Sequence, residues 1–306
     1  MVSVIIPTFK GISTLGRSID SVINQSYSDY EIIIVDDNYP DSYERKKTEE
    51  IVRKYLQYEN VSYIKHKDNR NGSCARNTGI KNARGKYISF LDDDDVYHED
   101  RLKKLVEEAE KTDLDAVFSK VIVKNNETVL RKANVRLVED NFYNLFVNEN
   151  LLGTGSNIFI KKEIAEKVNG FDERLVRNQD YDFLLSFFLK GYKAKTIDEV
   201  LVIKYEDIQK NIPKYDDLKN IKKYLYEKYK EKISTYSNYK QRKIIRSIHN
   251  SLLESAIYNN HWDGIVYEVR KMNYLIPIKK IVKILIIKFP KLVFIKRTYY
   301  KFMNIM

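Results

Sequence analysis

Three short runs carry apolar residues back to back instead of alternately: Val2-Ser3-Val4-Ile5-Ile6, Glu31-Ile32-Ile33-Ile34-Val35 and Tyr87-Ile88-Ser89-Phe90-Leu91. A strand written this way is buried on both faces, the condition inside a parallel sheet covered by helices. Segments of helical spacing stand between the runs. Leu15, Ile19, Val22 and Ile23 share one face of a helix from about Ser13 to Asn24. Asp41 with Glu44 reads as a capping box opening a helix that turns Thr48, Ile51, Val52, Tyr55 and Leu56 inward. A strand follows over Val61 to Lys65, then a helix capped by Ser73 and ending at Gly85. Its small residues Ala75, Gly79 and Ala83 permit close packing against a sheet. Another helix starts near Asp100. The alternation predicts an α/β fold with a Rossmann-like, mostly parallel sheet flanked by helices.

Ligands of such sheets bind outside the carboxyl ends of the strands. Here those ends carry Pro7-Thr8-Phe9, Asp36-Asp37 and the run Asp92-Asp93-Asp94-Asp95. Four adjacent carboxylates repel one another, and a hard divalent cation among them relieves that repulsion. Mg²⁺-type ions take one or two carboxylates and complete their shell with substrate phosphates, so the run reads as a metal–phosphate site. Taken alone it reads more readily as a solvated acidic turn; three polar strand ends on one edge favour the site. No Gly-x-Gly-x-x-Gly follows the first strand and no Gly-Lys-Ser/Thr loop occurs, which weakens dinucleotide oxidoreductase and P-loop phosphotransferase readings. A nucleotide held by its base and ribose, with the diphosphate clamped by a metal, fits better.

A lone cysteine, Cys74, excludes a disulfide framework and suits a reducing cytoplasm. Met1 leads straight into a strand with no basic leader, and no apolar run approaches the roughly 18–20 residues that span a bilayer. The net charge of +11 would suggest nucleic acid were it not localised. From Lys271 to Met306 there are nine basic residues and no acid, leaving about +2 for the rest, so no nucleic-acid partner is expected.

With these motifs in hand, the sequence resembles the inverting glycosyltransferases of family 2, which have the GT-A fold. The resemblance rests on Val2 to Phe9, on Glu31 to Asn38, and on Asn69-x-Asn71-Gly72-Ser73-x-Ala75-Arg76-Asn77-x-Gly79-Ile80. It continues through Ala83-x-Gly85 into the aspartate run, then Gly170-Phe171-Asp172-Glu173 and Gln179-Asp180-Tyr181-Asp182. It implies a base pocket lined by Phe9 beside Pro7 and Thr8, and Asp37 accepting from the uracil ring with Asp36 in support. Asp93, with Asp92, would contact the ribose and donor sugar, Asp94 would bind Mn²⁺ or Mg²⁺, and Asp180 would be the general base. Gln179 stands where the family commonly has Glu. Arg76 and Asn77, at the start of their helix, are candidates for facing the diphosphate.

The chemistry asks for these groups independently. A departing nucleoside diphosphate develops negative charge that a metal can stabilise, and an incoming hydroxyl must lose a proton to a carboxylate. One base without a protein nucleophile gives a single displacement with inversion. Asp180 falls in the first turn of an apolar helix, where the ionised carboxylate is favoured. His66, His98, His249 and His261 show no metal-ligand spacing, and Cys74 reads as a packing residue.

The expected organisation is a catalytic domain over 1–210 and a helical C-terminal extension over 211–306. Within the first, 1–124 would bind the nucleotide sugar and 125–210, containing a strand at Val121-Ile122-Val123 and an aromatic helix over Asn141 to Val147, the acceptor. In the tail, Ile278, Ile281, Val282, Leu285 and Phe289 share a helical face opposite Lys279, Lys280 and Lys283. Such a helix suits an anionic membrane surface or packs on the protein's own core. The expected function is transfer of a sugar from a UDP-sugar to a glycan or lipid-linked acceptor for surface polysaccharide, on the cytoplasmic face of the cell membrane. A sugar nucleotidyltransferase is the enzyme alternative, without the Gly-rich basic loop that class needs. A non-catalytic basic protein binding anionic lipid or nucleic acid is the other.

Overall fold

The computed structural model describes residues 1–133, 135–148, 151–206 and 212–273. The chain divides into two compact units, Met1–Lys210 and Asn211–Met306. The first is built on one sheet. Its opening half alternates β1 (Val2–Thr8), α1 (Leu15–Ile23), β2 (Tyr30–Asp36), α2 (Tyr43–Arg53), β3 (Val61–Lys65), α3 (Gly72–Asn82) and β4 (Tyr87–Phe90). β1 lies between β2 and β4, and β2 pairs with β3, all parallel. Register aligns Thr8 with Asp36 and Ile5 with Phe90, so the polar residues after each strand emerge along one edge. The strand residues Val4, Ile5, Ile6, Ile32, Ile34, Ile88 and Phe90 are fully buried. α3 lies close on β1: a Cβ on Gly79 would come 2.3 Å from Ile5 Cγ2, so only glycine permits this approach.

The second half departs from the parallel expectation. It contains β5 (Val96–Tyr97), α4 (Arg101–Thr112), β6 (Ala116–Asn125), β7 (Thr128–Ala133), α5 (Asn141–Val147), β8 (Phe159–Lys161), α6 (Lys162–Lys167), α7 (Gln179–Leu189) and β9 (Ala194–Tyr205). The sheet order is β3-β2-β1-β4-β8-β6-β9-β5, with β7 beside β6. β8 runs antiparallel between β4 and β6, β7 is antiparallel to β6 and β5 to β9, while β6 and β9 are parallel. The sheet is therefore mixed. A tight β6–β7 hairpin replaces a helical crossover, with Asn126 at φ 50° in its turn.

Four local expectations shift. Ser42, not Asp41, caps α2, its hydroxyl accepting from Arg45 N at 3.1 Å, because Asp41 is held at φ 60°. Asn71, not Ser73, caps α3 and accepts from Ser73 N at 2.8 Å and Cys74 N at 3.3 Å. That helix ends at Asn82, before Gly85. Leu56 lies beyond the end of α2 and is exposed.

The second unit holds α8 (Tyr215–Ser234), α9 (Asn238–Tyr258) and α10 (Trp262–Asn273). Leu218, Leu252, Leu253, Ala256, Ile257, Ile265 and Met272 form its core, with Ile248 partly buried against them. Ile221 and Leu225 of α8 are buried as their helical spacing predicts. The expected helix over Ile278 to Phe289 lies outside the described residues. No described helix is long and apolar enough to cross a membrane.

Candidate active site

β4 delivers the four aspartates to the carboxyl edge of the sheet, where they separate. Asp92 accepts from Arg76 Nη2 at 2.5 Å, and its amide donates to Ser156 Oγ at 2.9 Å. Asp93 faces the end of β1 instead, its Oδ2 accepting from Thr8 Oγ1 at 2.6 Å and Phe9 N at 3.2 Å. Asp95 is buried, its Oδ2 accepting from Thr154 Oγ1 at 2.7 Å and Ser156 Oγ at 2.6 Å. Asp94 is the exposed member; its carbonyl accepts from Arg17 Nη2 at 2.8 Å.

Carboxylate oxygens of Asp92, Asp94 and Asp95 lie within 4.8 Å of one another. Burial, and then its aspartate neighbours, push the Asp95 carboxyl up to about 8. Burial likewise lifts Asp93 to about 7, and partial desolvation with the Asp92 charge lifts Asp94 to about 6. Asp95 Oδ1 is buried with no hydrogen-bond partner among the described residues. A buried oxygen left unpaired costs about 1–3 kcal/mol, and more if charged. Three hard oxygen donors, one orphaned, fit a Mg²⁺- or Mn²⁺-like ion. The sequence reading assigned Asp94 alone to metal. The turn that follows β4 brings Asp92 and Asp95 beside Asp94 and turns Asp93 to the end of β1 instead.

Beneath the cluster Arg101 is fully buried. It donates to Ser119 Oγ at 3.0 Å and to the Ser156 carbonyl at 3.2 Å, and its guanidinium lies 4.5 Å from the Tyr97 ring centroid. It thereby fixes the 154–157 loop that grips Asp95. Sequence reading missed it; a lone arginine in an otherwise amphipathic helix gives no signal of burial.

On the other side of the sheet edge, Phe9 and Tyr39 are exposed aromatic rings at the ends of β1 and β2, 6.3 Å apart and edge to face. Pro7 and Thr8 lead into Phe9, and Lys10 N donates to Asn38 Oδ1 at 2.8 Å, tying the two loops together. Tyr39 was not among the expected pocket residues. Asp36 is fully buried and works inside the fold: it accepts from Asn38 N at 2.8 Å, pairs with Arg45 Nε at 3.1 Å and meets Tyr63 Oη.

Two of the expected donor contacts are engaged within the protein. Asp37 is buried with both carboxylate oxygens engaged. Oδ1 meets His66 Nδ1 at 2.7 Å and Arg70 N at 2.9 Å; Oδ2 accepts from Asn69 Nδ2 and Asn71 N, both at 2.8 Å. Through these contacts Asp37 shapes the 69–71 loop that presents the α3 cap. Asn77 is likewise engaged. Its Nδ2 donates to the Phe171 carbonyl at 2.8 Å and Glu173 Oε1 at 3.1 Å, and its Oδ1 accepts from Phe171 N at 2.8 Å.

Arg76 joins the two sides of the site, with Nη1 donating to Gln179 Oε1 at 2.7 Å while Nη2 holds Asp92. Gln179 in turn donates through Nε2 to the Leu175 carbonyl at 3.0 Å. A glutamate here could accept from Arg76 but could not make that second bond, which gives the amide a physical reason. Asp180 follows in the first turn of α7, its Oδ1 accepting from Tyr181 N at 2.9 Å. Gly155 lies between it and the acid cluster: a Cβ there would sit 3.9 Å from Asp180 Oδ2 and 3.8 Å from Asp92 Oδ2. The absent side chain leaves open the space that both carboxylates face.

Comparison with known proteins gives a consistent result. The profile of Glycosyl transferase family 2 matches residues 3–169, and that of Glycosyl transferase family group 2 matches residues 87–258. Glycosyltransferase MJ1057 of Methanocaldococcus jannaschii is 34% identical over 73% of this chain and 75% of its own length. Poly(ribitol-phosphate) beta-N-acetylglucosaminyltransferase TarP of Staphylococcus aureus is 32% identical over 66% of this chain and 62% of its own. Among solved structures, S. aureus TarS 1-349 in complex with UDP-GlcNAc superposes with a TM-score of 0.65 at 17% identity, covering 83% of this chain and 72% of that one.

Proposed function

The chain belongs to glycosyl transferase family 2 and has the GT-A fold, and on that premise we propose the reaction it performs. It moves a sugar from a UDP-sugar to a hydroxyl of a glycan or lipid-linked acceptor in surface-polysaccharide synthesis, by one displacement with inversion. The observation that carries this is that Asp180 and the Asp92 carboxylate both approach Gly155, a proton acceptor and a cation-binding acid cluster on two sides of one glycine. Relatives named for polysaccharide work and a neighbour that holds UDP-GlcNAc support the substrate class.

Each residue has a part. Phe9 and Tyr39 offer apolar faces for the base beside the Pro7–Thr8 backbone. Asp93, fixed by Thr8 and Phe9 N, is a hydrogen-bond partner for the ribose or the sugar. Asp92, Asp94 and Asp95 would hold Mn²⁺ or Mg²⁺, which when bound stabilises charge on the departing diphosphate. Arg76 keeps Asp92 at the cluster and, through Gln179, sets where α7 begins. Asp180 takes the proton of the acceptor hydroxyl as that oxygen attacks from the face opposite the leaving group.

A cytoplasmic enzyme held at the inner face of the cell membrane by its basic tail fits a lipid-linked acceptor. The test is Asp180→Asn, assayed for UDP release from a panel of UDP-sugars with Mn²⁺ and for UDP-sugar affinity by calorimetry. Turnover should fall by roughly 10²–10⁴-fold, the usual cost of losing a general base, with affinity near wild type. Parallel loss of both would assign Asp180 to structure, and a product with retained anomeric configuration would refute the single displacement.

A further inference from the structure

The second unit carries an open-mouthed cavity of about 360 Å³ among α8, α9 and α10, within the size range of small-ligand sites. Its wall is mostly apolar and includes Ile245, Ile248 and Leu252. Three lysines of α8 line it too: Lys219, Lys222 and Lys223. At spacings of three and four they share one helix face, where like charges destabilise one another. Their burial is graded, from exposed Lys223 through half-buried Lys219 to buried Lys222. Lys219 Nζ lies 5.6 Å from the Tyr215 ring centroid and 4.7 Å from that of Tyr267, over aromatic faces.

Among the described residues the only carboxylate lining the cavity is Glu268, which is fully buried and already engaged. Its Oε1 accepts from Tyr215 Oη at 2.8 Å and its Oε2 meets His249 Nδ1 at 2.5 Å. The mouth therefore presents cations above an apolar interior. An anion with a hydrocarbon chain satisfies both: it neutralises Lys219 and Lys223 and covers the aliphatic wall. The chain's own tail is a poor occupant, since residues 274–306 carry eight basic side chains and no acid.

We propose that this cavity binds a single-chain anionic amphiphile, with its hydrocarbon against Ile245, Ile248 and Leu252 and its phosphate head at Lys219 and Lys223. This site lies in the second unit and does not depend on the transfer reaction proposed for the first. Titration calorimetry of the full chain with dodecyl phosphate, kept below its micelle concentration, should give saturable binding at one site. Dodecyl maltoside and inorganic phosphate, which carry the chain or the head alone, should each bind at least about tenfold more weakly, the discrimination of one good contact. The double variant K219E/K223E should lose affinity by a similar factor with its circular dichroism unchanged. Ile248→Trp, which fills the cavity, should do the same without altering charge; if it does not fold, exposed Lys223→Glu alone carries the test. Absence of binding, equal affinity for inorganic phosphate or dodecyl maltoside, or binding that ignores the lysine substitutions would overturn the proposal. The last result would move any binding to the basic tail.

Discussion

At Gly11 one hydrogen atom stands where any side chain would strike Asp93. A Cβ there would lie 2.0 Å from Asp93 Oδ2 and 3.1 Å from Thr8 Oγ1, the two atoms whose hydrogen bond fixes the Asp93 carboxylate. Gly11→Ala should therefore displace Asp93 and lower UDP-sugar affinity by about tenfold or more, the worth of one lost contact. Calorimetric titration with UDP-sugar checks it; unchanged affinity would remove Asp93 from the donor site. The acid cluster also has a pH signature. Asp93 and Asp95, raised to about 7 and about 8, bind protons in the native state over a range where the unfolded chain has released them. Their stabilising share is complete below about pH 4 and is lost as pH climbs through those native values. The melting temperature without metal should thus fall between about pH 5 and about pH 9, while the increment from added Mn²⁺ grows as protons leave its ligands. A Mn²⁺ increment independent of pH would mean the ion binds elsewhere.

Elements were legible where one periodicity ruled them. β1, β2, β4, α1 and the start of α7 all stand where their apolar spacing put them, because buried strands and amphipathic helices each carry a single pattern. Caps were less legible. Asp41 and Ser73 have suitable side chains, yet Ser42 and Asn71 took those positions, a choice made by backbone dihedrals that no composition reveals. Two strands were less legible: Val121–Val123 is only part of the ten-residue β6, and two-residue β5 was missed. Both pair with β9, far along the chain, β6 parallel and β5 antiparallel. The protein partners of Asp37 and Asn77 were not legible for a related reason: motif position places a residue near a site but does not tell which neighbours it holds. Asn71→Ala tests the element scale. It removes the side chain capping α3, whose loss costs typically about 1 kcal/mol, and loosens Arg76 on the same helix. Denaturant unfolding should show that cost, and UDP release should fall with it; full activity at reduced stability would separate the cap from the site.

For the whole molecule, charge is concentrated away from the described fold. Eight basic residues run from Lys279 to Lys301 without an acid, and each near an anionic surface contributes about 1 kcal/mol. Truncation after Asn273 spares Met272, which is buried in the core of the second unit. The shortened protein should lose salt-sensitive binding to vesicles rich in anionic phospholipid while releasing UDP from donor at the wild-type rate. Vesicle binding that persists, or ignores salt, would refute a membrane role for the tail. The acid run at the end of β4 carries a last implication. Its four aspartates are identical as letters and distinct as addresses: one held by Arg76, one by Thr8, one open, one gripped by Thr154 and Ser156. Deleting any one of them would barely change the run as text. It would still send every later carboxylate to its neighbour's place, so the run tolerates miscounting less well than it tolerates misspelling.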